Sequence, residues 1–357
     1  MNSREPFCSD ELPVSCYMHE IPAFVEEELA RSYETLHSSL PFLKVFRTLK
    51  HANCYVAGHV GQRRTILLFT CHKSHVEVLN EMIEIDQAGL DRFVRYVFSR
   101  FANVDVIRFN ALKAEAVDVG FPVQRYASKS TYVIALPADP EAYTASIGKS
   151  TRAGLRHQMN NVVRDFPTFA IKFYHNEDIN EQDVRCIVKL SEDKINANGR
   201  KISHDVARIL ALAKSCGFVS VFLVNGKICA GSVNYKVGAS YFGDVSAYDQ
   251  NYEKYGMGKL CIHQTICESI RGGGKKFYLG GGVFDFKQRM LGVPLCMDEI
   301  TIYRSSARML FNAPVFLRSA LAGYTGRLKM VLHRNKQTTW AKYAYASFHF
   351  FRNRMMK

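Results

Sequence analysis

The chain has 357 residues, of which 47% are hydrophobic and 22% are charged. This balance is typical of a protein with a well-formed hydrophobic core, and the length is enough for two ordinary domains. The first forty residues are polar and acidic, unlike a signal peptide, and apolar runs such as 65–71 are too short to span a bilayer. The ten cysteines include no C-x-x-C pair, which favours reduced core thiols over a zinc site. We therefore expect a cytoplasmic protein without a bound metal.

The net charge of +14 is concentrated at the C-terminal end of the sequence. No Asp or Glu follows Glu299, and residues 304–357 contribute +11 of the total. Within this segment, residues 340–352 interleave Lys342 and Arg352 with six aromatic residues, which are Trp340, Tyr343, Tyr345, Phe348, Phe350 and Phe351. A cationic, aromatic segment suits an anionic membrane surface. We expect it to form a basic helical tail that attaches to the inner face of the cytoplasmic membrane. Helices packed on the body, or RNA binding, are the alternatives.

The first half of the sequence begins with an acidic segment, 1–40, which contains one candidate amphipathic helix. The elements predicted after it are strands over 54–60 and 65–71, a helix over 89–101, and strands over 104–109 and 130–136. A polar turn joins the first two strands as a hairpin. This order is typical of half of a mixed α/β sheet. Pro137 and Pro140 break the chain and predict a boundary, so that 41–139 forms one unit.

The second half, 140–303, is predicted to repeat this general order of elements. The elements predicted here are a long helix over 141–164, a strand over 169–174, helices over 181–195 and 205–215, and strands over 219–224 and 228–235, followed by a strand over 241–248, a helix over 259–271, and strands over 276–279 and 299–303. Asn225 and Gly226 predict a tight hairpin turn. The fold class predicted for the whole chain is therefore α/β, with a mixed sheet.

The functional prediction depends on residues 241–292. They contain a strand, the loop YEKYGMG at 252–258, a helix, a second strand in GKKFYLG at 274–280, and FDFK at 284–287. This order resembles the GNAT acyltransferase superfamily, in the branch named for the cellulose-biosynthesis protein CelD/BcsL and related to the FemABX peptidyltransferases. The resemblance covers roughly residues 145–292. It implies a GNAT-like fold with two GNAT-like halves, of which only the second carries a donor site.

The resemblance also implies that the donor substrate is acetyl-CoA or another acyl-CoA. Its acyl arm would meet the backbone of two splayed strands, 241–248 and 276–279. A glycine turn before a helix leaves N–H groups free for phosphate, although an ordinary β-turn explains the same glycines. The residues predicted to bind the donor are Val245, Ser246, Tyr255, Gly256, Met257, Gly258 and Lys259. Glu253 stands where the nucleotide-binding relatives carry a basic or amide residue, which leaves aminoacyl-tRNA as an alternative donor.

Three residues are predicted to be catalytic. Asp244 lies in a predicted strand, where a carboxylate faces either a cleft or, by simple alternation, the solvent. Asp285 and Lys287 are two residues apart and would point to the same side of an extended chain. They pair with each other or, as the resemblance implies, Lys287 lies at the substrate cleft.

Three basic residues are predicted to bind the acceptor. Lys149, Arg152 and Arg156 recur at i, i+3 and i+7 and so share one helix face. The face is either solvated or, as the resemblance implies, meets an anionic acceptor.

The predicted function is transfer of an acyl group, most simply acetyl, to an amine or hydroxyl of a cell-envelope or exopolysaccharide-related acceptor. The acceptor would be a glycan or its lipid-linked precursor. One alternative is a FemABX-like transferase that uses aminoacyl-tRNA, whose RNA contacts the basic tail would supply. Another is a GNAT-like scaffold without catalysis in a polysaccharide synthesis assembly.

Overall fold

A computed structural model describes residues 12–59, 61–62, 64–114, 117–197, 201–282, 285–314, 316–317 and 320–321. The strands are β1 (Val14–Tyr17), β2 (Asn53–Ala57), β3 (Thr65–His72), β4 (His75–Val78), β5 (Ile83–Glu84), β6 (Val106–Lys113), β7 (Val123–Ala135), β8 (Ala170–His175), β9 (Gly217–Val224), β10 (Lys227–Val237), β11 (Ser240–Tyr248), β12 (Lys276–Tyr278) and β13 (Val293–Tyr303). The helices are α1 (Phe24–Tyr33), α2 (Leu40–Phe46), α3 (Gln87–Arg100), α4 (Pro140–Ser146), α5 (Lys149–Asp165), α6 (Glu181–Ala197), α7 (Val206–Cys216), α8 (Met257–Arg271), α9 (Asp285–Arg289) and α10 (Ser306–Phe311).

One mixed sheet runs through both halves of the described chain, in the order β1-β2-β3-β4-β6-β13-β7-β12-β11-β10-β9-β8. The sheet contains the same unit twice. In each unit three antiparallel strands are followed by a helix that crosses to a parallel strand, as β2-β3-β4-α3-β6 and as β9-β10-β11-α8-β12. The predicted mixed α/β fold with two similar halves is confirmed.

The C-terminal strand β13 joins the halves. It pairs with β6 on one side and with β7 on the other, although it follows all the strands of the second half in sequence. Strand β7 then pairs with β12, so the sheet has no gap at the predicted boundary. The division into 1–40, 41–139, 140–303 and 304–357 remains a prediction, and residues from 322 onward lie outside the described part.

Helices cover both faces of the second half. On one face α4, α5 and α8 enclose an apolar core with inward side chains such as Tyr241 and Phe277. On the other face α6 and α7 pack on Tyr235, Phe242 and Val245, and side chains from α1 and α2 join this second core. The N-terminal segment therefore contributes directly to the second half.

Two details of the sequence prediction are wrong. The helix predicted over 141–164 is divided into α4 and α5, because Ile147 and Gly148 are extended (ψ 139° and 138°). Ile147 is only 2% exposed, and the break lets its side chain reach the core beside a glycine that disfavours helix. Asp285 and Lys287 are not extended but lie in α9, where residues two apart point to different sides.

Candidate active site

Strands β11 and β12 pair over three residues and then part. The parallel pairing ends at Phe242 and Tyr278. Beyond that point the chain follows β7, since the Leu279 N–H donates to the Tyr132 carbonyl (2.8 Å), while β11 stays paired with β10 to Tyr248. The predicted splay is present, and the edge of β11 that faces away from β10 has no strand beside it among the described residues.

A β-bulge interrupts β11 at the start of the splay. Gly243 opposes Asn234 and Val245 opposes Val233, so that Asp244 is an extra residue without a partner in β10. A bulge redirects the side chain that it contains. Asp244 lies on the same face of the sheet as Phe242, two residues before it, and the extra residue brings Val245 to that face as well. Val245 and Ser246 lie beyond the bulge on the open part of the strand.

Gly256, whose φ is +65°, is the N-cap residue of α8, and no side chain caps the helix. The Gly256 N–H donates to the Glu253 carbonyl, and the N–H groups of Lys259 and Leu260 donate to the Gly256 carbonyl. The N–H groups of residues 257 and 258 have no acceptor among the described residues. They lie at the positive end of a helix, which is where a phosphate group binds well.

The N-terminus of α3, the equivalent helix of the first half, is not available to bind an anion. The carboxylate of Asp86 caps α3 by accepting the Gly89 N–H over 2.7 Å. Its negative charge and its hydrogen bond occupy the position that a phosphate would take. The two halves thus share a topology but differ at the residue that decides anion binding.

Packing also explains why residues 256 and 258 of the α8 turn are glycines. A Cβ at residue 256 would collide with the side-chain amide of Gln158 on α5, and one at residue 258 would lie 2.8 Å from the Tyr248 ring. Lys194 of α6 lies over that ring, with Nζ 3.9 Å from its centroid. The turn therefore lies close beneath α5 and β11.

The gap between β11 and the end of β12 opens into a cavity of about 620 Å³, which we call the central cavity. It lies on the α6–α7 face of the sheet and is walled by both halves of the chain. Its polar lining residues are His37, Ser128, Lys129, Ser130, Thr131, Tyr235 and Asp244, and its apolar walls include Phe42, Phe46, Leu212, Phe242 and Met297. Gly280 and Gly281 form its edge beside β12.

Asp244 is the carboxylate of the central cavity. It is reached by solvent but enclosed by the cavity walls, and the loss of hydration raises its pKa. The Tyr235 hydroxyl donates to its Oδ2 over 3.0 Å, which acts in the opposite direction by lowering the pKa. The carboxylate is therefore held in a fixed position with one oxygen still available.

An ion cluster around the buried carboxylate of Glu81 supports another wall of the cavity. The Glu81 carboxylate, whose side chain is 6% exposed, accepts hydrogen bonds from Arg47 (2.6 Å) and from Lys129. Burial acts to raise the pKa of Glu81, but Lys129 and Arg47 outweigh it and the pKa falls below its usual value. Arg47 follows α2 and Lys129 lies on β7, so the cluster joins two elements that line the cavity.

Lys287 supports the cavity edge. Its side chain is buried, and Nζ donates to the carbonyls of Gly280 (2.9 Å) and Gly281 (2.5 Å). Burial lowers its pKa to about 8. In contrast Asp285 is exposed, so the structure does not bring the two predicted residues to one side. Lys287 acts on the cavity through the turn that it holds.

The predicted basic residues lie on the other face of the sheet. Arg152 and Arg156 line a second cavity of about 560 Å³ between α4, α5 and α8, together with Glu141, Thr144, His263, Gln264, Cys267 and Arg271. The Arg152 guanidinium donates to the Ala145 carbonyl over 2.6 Å, and Lys149 is exposed. The structure does not bring these residues together with Asp244, so an acceptor role for them remains a prediction.

The residues that sequence reasoning missed come from distant segments. His37, Glu81 and Lys129 lie in three separate elements of the first half, and no local pattern links them to Asp244. Within the described ranges no cluster of three or more His, Cys, Asp or Glu side chains could hold a metal. None of the helices in that part of the chain combines the length and apolar character needed to cross a bilayer.

The sequence of this region matches a known family. Residues 191–288 match the family model described as "Acetyltransferase (GNAT) domain". The chain carries a GNAT-type transferase domain. The match includes the bulged strand, the glycine turn and Lys287, and thus every residue predicted to be catalytic or to bind the donor. No curated protein matches the chain, and the narrower CelD/BcsL assignment remains a prediction.

The chain is similar to several solved structures. FemX is similar with a TM-score of 0.59 and 8% identity, over 79% of this chain and 96% of that chain. L-PGS from Bacillus licheniformis has a TM-score of 0.45 and 14% identity, over 72% of this chain and 86% of its own. A tandem GNAT protein from the clavulanic acid biosynthesis pathway has a TM-score of 0.36 and 8% identity, over 81% and 98% of the two chains. At such identities the FemX likeness shows the fold alone.

Proposed function

We propose that the chain transfers an acyl group, most simply acetyl, from acyl-CoA to an amine or hydroxyl of an acceptor bound in the central cavity. The observation that carries this proposal is the open edge of β11, which lies between that cavity and the uncapped start of α8. A thioester laid along this edge would have its phosphates at the helix and its carbonyl at the bulge.

Five of the seven predicted donor residues have a direct role in this arrangement. Tyr255 has none, because its hydroxyl donates to Asp165 of α5 over 3.0 Å. The free N–H groups of Met257 and Gly258 would bind the pyrophosphate, with the charge of Lys259 beside them. The backbone of β11 along Val245 and Ser246 would hold the acyl arm, and an N–H on its open edge would donate to the carbonyl oxygen as it becomes negative. Asp244, on the cavity side of the bulge, would orient the nucleophile of the acceptor.

The acceptor that we propose is an envelope or exopolysaccharide-related glycan, or its lipid-linked precursor. The resemblance to the CelD/BcsL branch suggests this class. The cavity supports it with stacked rings of Phe42 and Phe46 (4.6 Å) and with hydroxyl groups of Ser128, Ser130 and Thr131. Aromatic faces and hydroxyl groups together suit a ligand that is polar at its edges and apolar on its faces. The attachment of the basic tail to the inner membrane surface is part of the same proposal.

Calorimetric titration with acetyl-CoA tests the donor site. We expect the unmodified protein to bind acetyl-CoA, and Gly256→Ala to weaken binding at least about tenfold, because a side chain would displace Gln158 and disturb the turn. Gly273→Ala is the matched control: it has a similar φ of +76° at the other end of α8, with no atom within 4 Å of the added Cβ. No binding at millimolar acetyl-CoA would exclude the coenzyme A donor.

A second candidate is transfer from aminoacyl-tRNA. Glu253 just before the turn favours it, because its carboxylate adds negative charge near the proposed phosphate position. Transfer of a radiolabelled aminoacyl group from charged tRNA, without binding of acetyl-CoA, would select this function. A protein that binds neither donor but co-purifies with a polysaccharide synthase would instead be a scaffold.

A further inference from the structure

His37 brings an imidazole from the N-terminal segment to the central cavity. It lies in the short turn Leu36–Ser38 between α1 and α2, far in sequence from the GNAT-type domain. Its ring packs against Phe42 (5.0 Å between centroids) and lies 6.5 Å from the ring of Phe242. Phe242 immediately precedes Gly243 and the bulged Asp244. The imidazole thus lines the same cavity as the bulge at which the proposed acyl carbonyl would lie.

Neither ring nitrogen of His37 has a hydrogen-bond partner within the described residues. Nδ1 is buried and unsatisfied, and Nε2 is the nitrogen left open to the cavity. Nδ1 is too buried to meet a ligand, so Nε2 is the ring nitrogen that a ligand in the cavity would reach. The two aromatic neighbours hold the ring in place without using either nitrogen.

The other ionisable groups around His37 each have a hydrogen-bond or ion-pair partner. Lys129 is paired with Glu81, which also binds Arg47, and Tyr235 donates to Asp244. Burial, with a smaller effect from Lys129 and an opposing one from Glu81, lowers the pKa of His37 to about 4. The ring is consequently neutral at pH 7 and has a lone pair to offer.

We propose that His37 accepts the proton of the attacking amine or hydroxyl. The inference rests on the proposed acyltransferase function. As the nucleophile forms a bond to the carbonyl carbon, its proton passes to Nε2; the carbon–sulfur bond then breaks, and the leaving thiolate takes up a proton from the imidazolium. No further reactant is needed besides the acyl thioester and the acceptor, and the neutral imidazole is restored.

Thiol release from acetyl-CoA tests this role, with D-glucosamine as the acceptor probe and with water alone. We expect His37→Gln to lower kcat at least about 100-fold and to leave the affinity for acetyl-CoA unchanged. His175→Gln is the matched control, because His175 also packs on an aromatic ring, that of Phe218 (4.9 Å), but does not line the cavity. We expect it to retain full activity.

Chemical rescue separates proton transfer from packing. In His37→Gly, added imidazoles of similar size should restore turnover with a rate that rises with the pKa of the added base. Absence of rescue, or rescue that is independent of that pKa, would assign His37 a packing role and overturn the inference, as would normal activity of His37→Gln. Failure of the unmodified protein to release thiol under either condition would overturn the proposed function and this inference with it.

Discussion

The hydroxyl of Tyr235 donates a hydrogen bond to Oδ2 of Asp244 across 3.0 Å, from β10 to the bulge of β11. The two residues line the central cavity at the position where β11 leaves β12. This hydrogen bond matters because a bulged residue has no backbone partner in the neighbouring strand that would otherwise hold it. The bond fixes the position of the carboxylate and also acts to lower its pKa.

Tyr235→Phe is expected to raise the pKa of Asp244 further, because it removes the hydrogen bond that opposes the effect of burial. In the proposed mechanism the ionised Asp244 carboxylate orients the nucleophile of the acceptor. A higher pKa of Asp244 should therefore move the acidic limb of the pH profile of kcat/KM to higher pH. Tyr303→Phe is the control: it also removes a buried hydroxyl, bonded to Gln124 at 2.5 Å, but away from the cavity. An acidic limb that stays in place in Tyr235→Phe would contradict the role of Asp244.

Lys287→Met is expected to destabilise the protein by about 1–3 kcal/mol, because the carbonyls of Gly280 and Gly281 lose their charged donor. Activity should fall as well, since the two glycines form the edge of the cavity. Urea unfolding and thiol release measure the two effects. Lys275→Met removes an exposed lysine near the same strand and should change stability by no more than about 0.5 kcal/mol. Equal stabilities of the two variants would show that Lys287 does not hold the turn.

Local patterns predicted much of the fold. The hairpin of β9 and β10 was predictable because Asn225 and Gly226 adopt positive φ (50° and 73°), as the two-residue turn requires. The predicted helix over 259–271 and the strands before and after it correspond to α8, β11 and β12. Apolar spacing and glycines determine such elements locally.

Local patterns did not predict the order of the strands in the sheet or the residues that line the central cavity. The insertion of β13 between β6 and β7 depends on pairing between segments more than 150 residues apart, such as Ile302 with Val123, and no local signal encodes it. His37 and Lys129 reach the cavity only because α2 and β7 pack beside β11. One local signal that was missed is Gly148, which marked the break between α4 and α5.

Glu81→Gln is expected to cost about 1–3 kcal/mol of stability, because the buried carboxylate binds both Arg47 and Lys129. The pKa of Glu81 is lowered, so its contribution is present above about pH 4.5 and is lost as the pH falls further. Glu84→Gln is the matched control, since the Glu84–Lys113 pair has exposed side chains (55% and 45%) and such pairs contribute little. Urea unfolding at pH 7 should separate the two variants, and equal losses would exclude the buried cluster as a support of the cavity wall.

His263 is expected to make the folded state less stable in mild acid. It lies buried on α8, where Thr144 hydrogen-bonds Nε2 (3.1 Å), and burial lowers its pKa to about 4. Between pH 6.5 and 4 the unfolded chain binds a proton that the folded chain does not, so stability falls with pH by about 2 kcal/mol at pH 5. His263→Gln should reduce this slope in urea unfolding at pH 7.5 and 5.0, whereas His72→Gln, at an exposed position, should not. An unchanged slope in His263→Gln would mean that this histidine is not held neutral.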